Sequence, residues 1–292
     1  MTSLSGNFDA DSMILSRLDY LSLIDTCRTS VYINSICNDQ VFWERKIIQE
    51  FPNVPLQLDR HSQYASLYFE RLSPNRAALE GNLTALKGIK QYTGRLPNSN
   101  GADFAAAKGH YDVVVWLIQN RVLPTSKGAD ISLDGRNWNM LRLLKGYQIL
   151  PDSNKLTGSA ARLDPTTLEI LSTIYPLSQG MAQAATGTEN IPALDWFAER
   201  GFLPYNMSGA VGASSIASLD WLYDHGFRPG FQEIKTAVES GRIPVLDWLW
   251  THGAPFGVTI NSDWIPNREI ENWLLNHQVK IKWIFGTPSG YW

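Results

Sequence analysis

Few residues in this chain have types and spacing that could do chemistry. His225 and His252 each stand just before a glycine in two matching segments, SLDWLYDHGFRPG and VLDWLWTHGAPFG. On neighbouring helices their backbones would lie roughly 8–10 Å apart. A shared metal ion would need further ligands, and no third one recurs beside them. A helix C-terminus favours a cationic imidazole without any metal. Asp195, Asp220 and Asp247 recur in the same register. Acid–base work by such carboxylates needs a pocket and separated pKa values, which a repeated helix flank does not offer. They read as a solvated face. Cys27 and Cys37 lie in apolar segments with no His or Lys cluster to lower a thiol pKa, so both read as buried thiols. Phosphate loops, nucleophile elbows and His-Glu-x-x-His are absent from the sequence. The expectation is a protein with no catalytic residue, no cofactor and no metal, and not an enzyme.

The bulk properties narrow the partners. The 292 residues are 44% hydrophobic and 18% charged, enough for one large domain or two small ones. A net charge of −3 and a pI near 6.0 argue against a nucleic-acid partner. The opening MTSLSGNFDADSM has neither the basic nor the apolar region of a secretory signal. No window approaches the roughly 18–20 apolar residues of a membrane span. Two cysteines do not make a disulfide framework, so a reducing, cytoplasmic setting is expected. Protein partners remain.

The elements that would position these residues repeat. Pro97, Pro124, Pro151, Pro176, Pro204, Pro229 and Pro255 are separated by 27, 27, 25, 28, 25 and 26 residues. Trp196, Trp221, Trp248 and Trp273 follow the same ruler, with Trp116 further upstream. Periods of this size signal stacked supersecondary units. Upstream of each proline lies a helical apolar stripe, as in Leu219, Leu222 and Tyr223. Gly94, Gly201, Gly226 and Gly253 then stand as left-handed caps. The other half of each unit is short and small-residued, as in DFAAAKGH. Each unit therefore reads as two short antiparallel helices, marginal alone and stable only when stacked. The Trp column reads as core between units.

AAAKGHYDVVVWLIQN at Ala105–Asn120 and ALEGNLTALKGI from Ala78 resemble the ankyrin repeat. The family's unit is about 33 residues; here the shortening is expected in the projecting hairpin loop, and the Thr-Pro-Leu-His opening is absent. The resemblance implies an all-α, ankyrin-like helical-repeat solenoid of seven or eight units over 75–292, with a protein target that the sequence does not name.

Before residue 75 the period is lost. MILSRLDYLSLIDTCRTSVYINSICNDQVFWERKIIQEFP, Met13 to Pro52, reads as three short helices. Ile14-Leu15, Leu18-Asp19, Ser22-Leu23, Cys27, Ile36-Cys37, Asp39 and Phe42-Trp43 resemble an F-box, with NFDADSM where that family has Leu-Pro. The resemblance implies an F-box-like domain over 8–52 that docks on the Skp-type linker subunit of a cullin ubiquitin ligase. Ile14, Leu15, Leu18, Leu21 and Leu23 are the partner-binding candidates. Tyr64, Leu67, Tyr68 and Phe69 give 53–74 one apolar face, the mark of a packed connector. The order of parts resembles F-box/ankyrin proteins of large DNA viruses, which would place it in the host-cell cytoplasm. The bland reading is an interaction scaffold whose first helices only cap the array.

Overall fold

The structure, a computed structural model, describes residues 4–283. Those residues are all-α apart from one two-residue strand pair. The chain divides into two compact units, Met1–Pro151 and Asp152–Trp292.

The first unit opens with four helices where the sequence suggests three: α1 (Phe8–Leu15), α2 (Tyr20–Cys27), α3 (Val31–Cys37) and α4 (Gln40–Glu50). The added length comes from the acidic segment. Asn7 accepts from the Ala10 N–H as a side-chain cap, so the first helix starts upstream of Met13. Asp19, Ser30 and Asp39 cap the next three in the same way. Then come α5 (Arg60–Arg71), α6 (Pro74–Leu79), α7 (Leu83–Thr93), α8 (Ser99–Ala107), α9 (Tyr111–Gln119), α10 (Ser126–Asp134) and α11 (Trp138–Gly146). From α6 onward they pair: α6 with α7, α8 with α9, α10 with α11. The first members stack in turn, α6 on α8 and α8 on α10. Their small residues let them approach: Ala102, Ala105, Ala106 and Ala129 are fully buried. The 53–74 stretch is packed as expected, since α5 lies against both α4 and α7 and buries Tyr64 and Phe69.

The second unit holds α12 (Ser153–Ala160), α13 (Pro165–Ile174), α14 (Gln179–Thr186), α15 (Ile191–Glu199), α16 (Ser208–Ala213), α17 (Ile216–Asp224), α18 (Phe231–Glu239) and α19 (Ile243–Thr251), in which α14 pairs with α15, α16 with α17 and α18 with α19. Its first helices contact in the order α12, α14, α16, α18, and its second in the order α13, α15, α17, α19. The last repeat departs from the pattern. A strand β1 (Ile260–Asn261) and a 3-10 turn (Ser262–Trp264) replace its first helix, α20 (Arg268–Asn276) is its second, and β2 (Ile281–Lys282) pairs in parallel with β1.

The ruler is written in the backbone as well. Among the described residues, every positive φ except that of Gly6 falls just after a first helix (Gly81, Gly109, Arg136, Glu189, Ser214, Gly241) or just after a second (Gly94, Arg121, Gln148, Gly201, Gly226, Gly253, Gln278). The α12–α13 pair skips both turns. Asp164 and Pro165 start α13 directly, and it ends in an extended Tyr175.

Candidate protein-interaction surfaces

The N-terminal helices are tied together by buried polar groups. The fully buried Lys46 of α4 donates to the Ser16 and Leu18 carbonyls at 2.7 and 2.9 Å and pairs with Glu50 at 2.6 Å. A cation thus meets the carbonyl of the α1 C-cap residue Ser16 and one in the turn that follows it. The buried Asp11 accepts from the Ser5 N–H at 2.8 Å, the Tyr32 hydroxyl at 2.8 Å and the Gly6 N–H at 2.9 Å, which joins α1 to α3. The Ser5 N–H leads the groups that hold its carboxyl below the usual range, against the opposing effect of burial. Trp43 donates its indole N–H to the Cys37 carbonyl at 2.7 Å and stacks on His61 at 4.5 Å. Burial pushes the His61 imidazole down and the Tyr20 hydroxyl up, and the two meet at 3.0 Å.

Cys27 and Cys37 are not thiols: they form a disulfide that joins the ends of α2 and α3. The expectation of two buried thiols is overturned, and the reducing setting drawn from the cysteines loses its ground, because these helices fold back on each other and bring the Cα atoms to 6.0 Å, within bridging range. A spacing of ten residues across a turn does not reveal that on its own.

The five partner-binding candidates separate by burial. Leu15 and Leu23 lie in the core, Leu18 and Leu21 are half-buried, and Ile14 is exposed. Beside Ile14, Met13 is 65% exposed. Met13 of α1, with Ser16 and Arg17 just after it, faces Phe42, Arg45 and Gln49 of α4 across a groove of about 260 Å³. Apolar Val31 of α3 and Val41 and Ile48 of α4 are also exposed. Sequence reading did not single out Met13 or Lys46. Met13 adjoins the matched motif; Lys46 has a helical neighbour in Glu50, but the two carbonyls it closes on lie 28 and 30 residues away.

In the second unit the repeated residues form a ladder. Trp196, Trp221, Trp248 and Trp273 are buried, while Trp116 of the first unit is half-buried. Each of three indole N–H groups donates to the aspartate one repeat earlier: Trp221 to Asp195 at 2.6 Å, Trp248 to Asp220 at 2.6 Å and Trp273 to Asp247 at 2.7 Å. The aspartates are exposed, as a solvated face would be, yet each is also a structural acceptor. The residue four places after each Trp covers its ring. His225, His252 and His277 stack at 3.7, 4.0 and 3.9 Å, and Arg200 lies over Trp196 at 4.0 Å. Each imidazole Nδ1 is fixed on the carbonyl of its own Trp at 2.7–2.8 Å. Trp-x-x-x-His, stated three times, is the signal that could have found this stack. No cluster of three or more His, Cys, Asp or Glu able to hold a metal occurs among the described residues. No described helix is long and apolar enough to cross a membrane.

No protein-family model matches the chain, and no curated protein matches it in sequence.

Proposed function

We propose that the chain is a non-enzymatic protein–protein adaptor. On this reading the helices of 8–52 are an F-box-like module that docks on the Skp-type linker of a cullin ubiquitin ligase. The helix pairs from residue 75 onward are a shortened ankyrin-like solenoid that holds a target. The viral resemblance assigns it to the host-cell cytoplasm. The observation that carries the reading is the split within the leucine-rich motif: Leu15 and Leu23 build the core, while Met13 and Ile14 face outward beside the α1–α4 groove. Exposed apolar side chains grouped on one surface mark an interface. The test is binding of the full-length chain to a purified Skp-type subunit by calorimetry. Binding is expected, and Met13→Asp with Ile14→Asp should abolish it while the melting temperature holds. No binding by the wild-type chain at tens of micromolar would discard the ligase role.

One observation favours a second reading, a plain scaffold. Because α4 packs on α5 and α5 on α7, the N-terminal helices cover the flank of the first helix pair, as the cap of a repeat array must.

A further inference from the structure

Ala198, Tyr223 and Trp250 occupy one repeat position, two residues after the ladder tryptophans of α15, α17 and α19. Each borders the histidine of the following helix. The space beside that residue is filled differently in each repeat. Next to α15 it is an open cleft of about 500 Å³, lined by Asp195, Ala198, Leu203 and His225 among others. Next to α17 it is filled from within. Arg228 lays its guanidinium over the Tyr223 ring at 4.1 Å and donates to the Tyr223 and Phe227 carbonyls, both at 2.7 Å. Next to α19 the place of Arg228 is taken by Pro255. There Trp250 is 42% exposed on a cleft of about 410 Å³ completed by Ala254, Phe256, Gly257, His277 and Gln278.

The walls of this last cleft are aromatic. Trp250 meets Phe256 at 5.3 Å and His277 edge-on at 4.9 Å. Among the described residues of this unit, aromatic faces already carry cations: Arg200 on Trp196, Arg228 on Tyr223, and Lys235 on Trp264 at 4.8 Å. Asp247 is exposed one turn before Trp250, and its repeat equivalent Asp195 lines the sister cleft. The unit Asp152–Trp292 has fourteen acidic and nine basic side chains, a formal charge of −5. A partly exposed aromatic ring in a unit of net negative charge, at the position where the preceding repeat supplies its own guanidinium, fits a cation from outside.

We propose that the Trp250 cleft is a docking site for an arginine side chain carried on a basic segment of a partner protein. The proposal rests on reading the repeats as a protein-binding array, but not on linker docking, and its test contains no linker. The probes are a capped tetra-arginine peptide and its neutral tetra-citrulline counterpart, titrated into the full-length chain with 15N-labelled tryptophan. The Trp250 indole signal, assigned by its loss in Trp250→Ala, should shift saturably with the arginine peptide. Citrulline should bind roughly fivefold to thirtyfold more weakly. Trp250→Ala should weaken arginine binding by a similar factor. Pro255→Arg, which sets a guanidinium where Arg228 stands one repeat earlier, should do the same with the melting temperature retained. It decides the matter if Trp250→Ala does not fold. Equal binding of citrulline would make the cleft a merely apolar site and overturn the proposal. So would arginine binding indifferent to both substitutions, or no saturable shift by about 10 mM.

Discussion

At the scale of single residues, the repeated Leu-Asp-Trp couples neighbouring repeats. Trp196, Trp221, Trp248 and Trp273 are buried, and the last three are hydrogen-bonded to a carboxylate of the pair before. Burial and the hydrogen bond can be measured separately. Trp221→Ala removes both and should cost on the order of 3–5 kcal/mol in denaturant unfolding. Trp221→Phe keeps most of the apolar contact but leaves Asp195 without its donor, and should cost about 1–3 kcal/mol. Equal losses for the two would show that the Asp195 bond dominates and that burial adds nothing. Asp11 predicts a pH effect. Its folded pKa lies below the ordinary 3.8, so the unfolded chain takes up a proton first as pH falls. Its stabilising effect is complete above the unfolded value and disappears as pH drops from about 4 through the folded value. Asp11→Asn should flatten that part of the stability profile, and a carboxyl carbon titrating at or above the ordinary value by NMR would refute it.

At the scale of elements, side-chain caps and small residues set where helices stop and how closely they approach. Gly88 sits in the middle of α7, where helix propensity alone favours Ala by about 1 kcal/mol. A Cβ there would run into the ring of Phe69 on α5. Gly88→Ala is therefore expected to destabilise the first unit in spite of propensity, by about 1–3 kcal/mol as overpacking does. An unchanged or raised melting temperature would show that α5 can move away. The turns also explain why the repeat is uneven in sequence. Glycine takes a left-handed turn without strain, as at Gly226, but Arg121, Arg136 and Gln148 adopt the same turns in neighbouring pairs. The backbone period is thus kept where the glycine signal is lost.

At the scale of the whole molecule, helices of six to eleven residues from α6 onward cannot stand alone and are held by the pairs beside them. A chain ending at Pro266 lacks α20 and so leaves Asp247 without the Trp273 donor and Trp250 without its His277 contact. Hydrogen exchange should then quicken most in α19, less in α17 and least in α15. Uniform loss across all three would mean that the unit unfolds as one block and not pair by pair. What was legible beforehand was periodic. The proline spacing, the cap glycines Gly94, Gly201, Gly226 and Gly253, and the buried Trp column all follow from residue types recurring along the chain.

The amino-acid sequence by itself determined that the chain is helical, that its units recur about every 26 residues, and where several of the helices end. Helix periodicity and capping are local, so a few neighbouring residues suffice to specify them. Only the tertiary structure decided that Cys27 meets Cys37, that Lys46 closes the end of α1, that Leu15 and Leu23 turn inward while Met13 and Ile14 turn out, and that each ladder aspartate serves the next repeat's tryptophan. Those outcomes depend on which surfaces meet once the helices pack. Residues ten to thirty apart in sequence carry no local mark of the partner that packing will bring them.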